Sequence, residues 1–264
     1  MTSASLLSLR GLGIRFGGLV AVDDVDFNLP PSHVTCIIGP NGAGKSTLFN
    51  LITGIYKPSG GQVILNGEEI TGLPAHVIAA KGIARTFQSS RLFEDLSILD
   101  NVMIGMHSRT KTSVLSALLT PRRAKSELDA CAKEAGAILQ GLSETLYARR
   151  YEPAGILPQA DRRRLEIARA LASYPKLILL DEPSSGMDDR DTADLMDDIR
   201  RVMAENPGLS FLIIEHDMRL VAELPDDVIV IDYGKKIAEG EFAKVRLLPR
   251  VQQAYLGQKA VEDA

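Results

Sequence analysis

Nine consecutive residues, Gly39-Pro40-Asn41-Gly42-Ala43-Gly44-Lys45-Ser46-Thr47, have the types and spacing to grip a polyphosphate. They fit the pattern G-x-x-x-x-G-K-[ST]. Glycines let main-chain N–H groups turn toward an anion with no Cβ in the way. A following helix adds unpaired amides and the positive end of its dipole. Lys45 is long enough to reach the terminal phosphates, and Ser46 can offer a hydroxyl to Mg²⁺. The pattern works only between a strand and a helix. Residues 33–38 read as a short buried strand and 48–52 as the first turns of a helix, so the context is right. The chain is predicted to bind a nucleoside triphosphate.

Three further positions have matching chemistry. The apolar run Leu177-Ile178-Leu179-Leu180 ends in Asp181-Glu182. A buried strand there would carry Asp181 to the sheet rim, where it can hold the water shell of Mg²⁺. Glu182 could then orient an attacking water or accept its proton. Taken alone, two acids can equally well end a strand and begin a loop. Phe211-Leu212-Ile213-Ile214 leads through Glu215 to His216, which could touch a γ-phosphate, although a lone histidine is more often structural. Gln88 closes Ile83-Ala84-Arg85-Thr86-Phe87-Gln88, and an amide there can ligate Mg²⁺.

The elements that must position these groups can be read from pattern. Residues 6–9, 20–29 and 62–65 carry β-type alternation, and Asn66-Gly67 is a hairpin turn dipeptide. Residues 177–180, 211–214 and 228–231 are apolar runs of the buried parallel-strand kind, with a helical pattern over 192–203. Residues 100–107 and 124–147 have helical spacing, with Leu128, Cys131, Ala135, Ile138 and Leu142 near one face. Gly136 and Gly141 weaken that helix. The predicted fold class is α/β: a P-loop core with an antiparallel β subdomain and a helical insertion. The insertion is placed at 89–159, within a core of 5–88 and 160–240. A helical tail over 241–264 is interrupted by Pro249.

Bulk composition excludes other classes. Of 264 residues, 45% are hydrophobic and 24% charged, an ordinary globular balance. A net charge of -4 gives no reason to expect nucleic-acid binding. Cys36 and Cys131 stand apart from any metal-ligand cluster and read as buried reduced thiols. Residues 1–10 lack a basic start and a long apolar stretch, so no signal peptide is expected. Apolar runs are strand-sized, well short of the roughly 20 residues that span a bilayer.

In combination, these motifs resemble the ATP-binding subunit of ABC transporters. Its parts are the phosphate loop, Thr86-Phe87-Gln88, Arg163-Arg164-Leu165-Glu166-Ile167-Ala168-Arg169, Asp181-Glu182-Pro183-Ser184-Ser185-Gly186-Met187-Asp188 and His216. The resemblance runs nearly the whole chain. It implies ATP and Mg²⁺ as ligands, and a head-to-tail dimer with each nucleotide between one phosphate loop and the other subunit's signature segment. It implies that Phe16 stacks on adenine, the alternative being a core phenylalanine. It implies that Ser185 and Asp188 lie on a loop crossing the dimer interface. Transmembrane permease subunits, served by a periplasmic binding protein, would hold the chain on the cytoplasmic side of the membrane. A coupling helix is expected to dock near residues 88–95. Arg85-Thr86-Phe87-Gln88, Arg91-Leu92-Phe93, Asn101-Val102-Met103-Ile104-Gly105 and Ala254-Tyr255-Leu256-Gly257 are similar to the importers of branched-chain amino acids. Lipopolysaccharide-export ATPases match less well around Gln88. A soluble ABC protein of translation or repair is disfavoured by the single acidic unit.

One segment departs from the resemblance. Where the family reads Leu-Ser-Tyr-Gly-Gln-Gln, this chain has Leu157-Pro158-Gln159-Ala160-Asp161-Arg162. Pro158 has neither hydroxyl nor N–H, and Ala160 adds a Cβ. Asp161 would cap the helix but present a like charge to phosphate. Such a pair at ~4 Å costs about 1 kcal/mol in water and about 4 at an effective dielectric of ~20. Lost donors cost about 1.5–3 kcal/mol each against a charged acceptor. Since this segment completes the partner's site, the reading is a heterodimer with one competent and one weakened site, or a regulatory subunit with little turnover. Arg162, Arg163 and Arg164 read as a solvated helix face.

Overall fold

The computed structural model describes residues 5–88, 91–107, 109 and 121–262. They divide into two units. The first takes the described residues of Met1–Arg85, Lys176–Ser185 and Met203–Ala264; the second those of Thr86–Pro175 and Gly186–Val202.

In the first unit, alternating and continuous apolar runs build two different sheets. Strands β1 (Leu7–Phe16), β2 (Leu19–Leu29), β4 (Gly60–Leu65) and β5 (Glu68–Glu69) form an antiparallel sheet in the order β2-β1-β4-β5. On β2, Phe27 and Leu29 face the core while Asp26 and Asn28 face water, the period-two pattern of a half-buried strand. Asn66 (φ 53°) and Gly67 (φ 82°) close the β4–β5 hairpin with both central residues left-handed, as a two-residue turn requires.

The second sheet has the order β10-β9-β3-β8-β7-β6. Strands β3 (Val34–Ile38), β6 (Ile83–Arg85), β7 (Leu177–Asp181), β8 (Ser210–Ile214) and β9 (Asp227–Asp232) run parallel. Only β10 (Lys235–Gly240) is antiparallel, returning from β9. Every residue of β3, β7 and β8 is buried, which explains their unbroken apolar sequences. Phe49 of α1 (Lys45–Ile52) packs with Ile37, Leu179, Leu212 and Phe27 in one core cluster drawn from both sheets. Because β3, β8 and β7 are neighbours running the same way, their carboxyl ends share one edge, where ligands collect in open α/β sheets. A short helix α2 (Ala75–Ala80) precedes β6, and α8 (Met218–Glu223) follows β8. The tail forms α9 (Phe242–Val245) and α10 (Pro249–Glu262). Pro249 therefore opens a helix rather than interrupting one, a position where its missing N–H has no cost.

The second unit is helical: α3 (Ile98–Gly105), α4 (Pro121–Leu142), α5 (Glu144–Ala148), a 3₁₀ turn (Ala154–Ile156), α6 (Gln159–Leu171) and the portion of α7 (Asp189–Glu205) up to Val202. The described part of 89–159 falls within this unit, which also takes in α6. Ser97 caps α3 by accepting the Asp100 N–H at 3.0 Å. The apolar face of α4 is narrower than its spacing predicts. Ala135, Leu139 and Leu142 are buried, but Leu128 is 58% exposed, because no described element covers that end of the helix. Gly136 sits in mid-helix against the ring of Tyr147. Gly105 lets α3 approach α6 so closely that a Cβ would collide with the Arg169 carbonyl oxygen. Cys36 is buried as expected, whereas Cys131 is only half-buried.

Candidate functional site

The phosphate loop leaves the carboxyl end of β3 and enters α1 at Lys45. Gly39 (φ 150°), Gly42 (φ 76°) and Gly44 (φ 101°) all occupy backbone regions that L side chains avoid. A Cβ on Gly39 would collide with the Ile231 carbonyl oxygen, and one on Gly44 with that of Ala21. The loop is clamped from the other side by the β9–β10 turn: Gly234 donates to the Ala43 carbonyl at 2.8 Å and accepts from the Asp23 N–H at 2.9 Å. Pro40 and Ala43 are buried, Asn41 and Ser46 exposed, and Thr47 half-buried.

Lys45 is 8% exposed and curls back on its own loop, Nζ donating to the carbonyls of Gly39 (2.6 Å) and Pro40 (2.8 Å). Burial lowers its pKa, opposed by the Glu182 and Asp181 carboxylates. A dry ammonium between backbone carbonyls and two acids is poised to exchange those partners for phosphate oxygens. Beside it lies an open cleft of about 440 Å³, lined among others by Phe16, Ala21, Asn41, Thr47 and Glu182. Phe16 is 44% exposed and meets Tyr56 edge-on, ring centroids 5.3 Å apart. The ring therefore borders the cleft instead of packing in the core.

Strand β7 ends at Asp181, and Glu182 follows it directly. Asp181 is buried and accepts from Arg85 at 2.8 Å, and Arg85 also binds the side-chain oxygens of Asn50 and Thr53 on and after α1. Glu182 adopts φ 49°, a left-handed conformation rare for glutamate, pinned by its N–H to the Ile214 carbonyl at 2.9 Å. Strain of this kind concentrates at functional sites. Next, β8 delivers His216, whose side chain is 61% exposed. Among the described residues no three His, Cys, Asp or Glu cluster as a metal site. A magnesium ion carried by phosphate needs no such cluster, and the Ser46 hydroxyl with the Asp181 carboxylate is a fitting oxygen pair.

The first unit holds Phe16, Gly39 to Thr47, Asp181, Glu182, Ser185 and His216; of these, Phe16, Asn41 to Thr47 and Glu182 line the cleft. Gln88, Pro158 to Asp161 and Asp188 belong to the second unit. There, Asp188 accepts the Asp191 N–H at 2.8 Å and so caps α7. The segment from Pro158 is the start of α6, with Pro158 extended (φ −64°, ψ 165°) as its N-cap and no side chain capping it. The expectation that Asp161 caps the helix is not met. Pro158 is kept out of the helix by its extended ψ of 165°, so the helix begins at Gln159 and Asp161 falls inside the first turn. Its carboxylate, 14% exposed, faces Arg164 (3.3 Å) and Arg149 (4.0 Å), which offsets part of its charge. Ala160 is buried.

The arginine run is not a solvated face. Arg163 is 3% exposed, pairs with Glu166 at 2.9 Å and donates to the carbonyls of Phe87 (3.0 Å) and Gln88 (2.8 Å). Arg164 binds Asp198 at 2.7 Å, and Arg162 binds the Leu157 and Gly155 carbonyls. Sequence reasoning missed Arg163. The signal available was its i,i+3 spacing to Glu166 in an otherwise apolar helix face.

Among the described residues no helix is long and apolar enough to cross a membrane. Residues 22–185 match the family model for ABC transporters. The chain is 42% identical over 257 residues to the high-affinity branched-chain amino acid transport ATP-binding protein BraF of Pseudomonas aeruginosa, covering 97% of this chain and 99% of that one. It is also 42% identical over 260 residues to LivG of Escherichia coli K12, of the same description, with 97% and 99% covered. It is 30% identical to the lipopolysaccharide export system ATP-binding protein LptB of Haemophilus influenzae, with 97% and 98% covered. A nucleotide-free ATP-binding cassette from an ABC transporter superposes with a TM-score of 0.82 at 32% identity, covering 95% of this chain and 98% of the other. A cassette in its ADP conformation gives 0.80 at 31%, with 96% and 99% covered.

Proposed function

The chain belongs to the ABC transporter ATP-binding family and is an ATP-hydrolysing transport ATPase; on that premise we propose that it is the motor subunit of an importer for branched-chain or other hydrophobic amino acids. The observation that carries the solute class is the 42% identity, over nearly the full length of both chains, to BraF and LivG. The lipopolysaccharide-export relative stands at 30%.

In this reading the loop amides of Gly39 to Thr47 and the Lys45 ammonium hold the ATP phosphates, and Phe16 stacks on adenine. Mg²⁺, when bound, neutralises phosphate charge; Ser46, Asp181 and Gln88 would hold it. Glu182 orients the attacking water and accepts its proton, a role worth about 10²–10⁴ in rate. His216 contacts the γ-phosphate. Arg85 holds the Asp181 carboxylate in place before nucleotide arrives. Two such subunits close head-to-tail, with Ser185 and Asp188 at the interface and Pro158, Gln159, Ala160 and Asp161 facing the partner's nucleotide. Closure drives permease subunits fed by a periplasmic binding protein, placing the chain on the cytoplasmic face of the membrane. The docking segment 88–95 carries the exposed Phe93; Ser89 and Ser90 lie outside the described residues.

The altered start of α6 supports a heterodimer in which this chain's own site is competent and its partner's is weakened. It also supports a second reading, an ATP-binding regulatory subunit with little turnover. Mg-ATPase and leucine uptake by the assembled membrane complex, wild type against Glu182→Gln, separate the two. A motor loses about 10²-fold or more in rate. An unchanged rate removes Glu182 as the base and this chain as the motor.

A further inference from the structure

The mechanism above gives the buried acid Glu215 no role. Glu215 lies between β8 and His216 and is 1% exposed. Its carboxylate is held by main-chain donors from two separate segments. Oε1 accepts the Ser184 N–H at 2.8 Å, and Oε2 accepts the N–H groups of His216 (2.8 Å) and Asp217 (3.1 Å). Among the described residues no lysine or arginine pairs with it; the His216 ring lies alongside, Nδ1 at 3.8 Å. Burying a carboxylate without a cationic partner is costly unless hydrogen bonds satisfy both oxygens, and here they do.

Each bridged segment carries a site residue. Ser184 follows Glu182 by two positions, and Ser185 donates to the Glu182 carbonyl at 3.2 Å. The chain then runs on to Asp188. On the other side is His216 itself, followed by Asp217, which caps α8 by accepting the Arg219 N–H at 2.8 Å. A single carboxylate therefore fixes the backbone of the histidine-bearing loop to that of the loop leaving Glu182.

We propose that Glu215 is a positioning residue that couples His216 to the segment beginning at Ser184, so that a shift at the γ-phosphate end of the site is passed to the loop that reaches the partner subunit. The idea rests on the assignment of Glu182 and His216 given above. It makes a directional prediction, because a carboxylate has two acceptor oxygens and an amide has only one. In Glu215→Gln, the orientation that keeps the two bonds to His216 and Asp217 turns an NH₂ group toward the Ser184 N–H. The tether to Ser184 is cut while shape and volume stay the same.

The test is the assembled complex carrying Glu215→Gln, assayed for kcat and KM for MgATP, with the ATP affinity of the purified chain measured alongside. The expected result is a kcat lower by about tenfold, with KM and ATP affinity within about twofold of wild type. A kcat equal to wild type overturns the proposal. So does a loss of ATP affinity in step with kcat, because Glu215 would then be holding the phosphate loop together and coupling nothing. Glu182→Gln and His216→Ala run in the same preparation separate the two levels. If both keep wild-type rates, the site assignment itself fails; if both lose activity while Glu215→Gln keeps it, only the coupling fails.

Discussion

The phosphate loop and the start of α6 use the same device, a turn feeding the N-terminus of a helix, and they differ in everything else. In the loop, three glycines take conformations that other residues rarely adopt, the loop lines a cleft, and a buried lysine stands by. At α6, Pro158 supplies no donor, Ala160 carries a Cβ, and Asp161 puts an anion in the first turn. Three nearby arginines are already committed to carbonyls and carboxylates. A helix dipole is thus only a background to anion binding. Selectivity comes from which amides are left facing outward, whether a Cβ blocks approach, and where the nearest mobile cation lies. The first site is built for a phosphate. The second is filled by its own protein.

Substitutions in each region should fail in different ways. The largest effect is expected from Arg163→Met, which leaves Glu166 buried without its partner; losing one member of such a pair costs about 3–5 kcal/mol. Denaturant unfolding should show that loss, while the ATP affinity of the surviving folded chain stays near wild type. A fall in ATP affinity would blur the contrast between the two regions. Gly39→Ala should strike nucleotide binding as well. Forcing a Cβ against the Ile231 carbonyl costs on the order of 3 kcal/mol, and nucleotide binding should drop by about 100-fold or more, as titration calorimetry would report. A variant that binds ATP normally would mean the loop does not need its φ of 150°.

A smaller effect tests the support beneath the loop. Burial pushes the Tyr255 hydroxyl up to about 12, against the effect of a backbone hydrogen bond from Gly39. The unfolded chain ionises near 10 and the folded chain later. Stability is therefore full below pH 10 and falls as pH rises from 10 toward 12, by about 2 kcal/mol. Tyr255→Phe should flatten that decline in thermal melts across the same range. An unchanged slope would assign the alkaline loss to other groups.

Much of this molecule could be read from the chain because its chemistry is local in sequence. The phosphate loop, the carboxylates closing β7 and the histidine after β8 follow directly from short apolar runs ending in polar groups. Parallel pairing then brings those ends together without further information. What escaped was non-local or depended on a single dihedral. Arg163 sits in a basic run that resembles any exposed helix face, and only the approach of the Phe87 and Gln88 carbonyls makes it a buried clamp. Glu215 looked like the end of a strand, since nothing in the sequence shows that the Ser184 amide returns to it. Asp161 has the chemistry of an N-cap yet falls within the first turn, because Pro158 takes the capping position without capping. Leu128 kept the helical spacing of a core residue at an end of α4 that nothing described covers.

The contrast between the two helix starts is tested most directly by rebuilding the second in the image of a phosphate site. In the assembled complex, Pro158→Ser combined with Asp161→Gln restores a hydroxyl and a main-chain donor and removes the anion. Each donor to a charged oxygen is worth about 1.5–3 kcal/mol, so steady-state ATP hydrolysis should rise by about tenfold. A rate and an ATP occupancy both equal to wild type would contradict the account, because the present segment would then serve its partner's nucleotide as well as the rebuilt one.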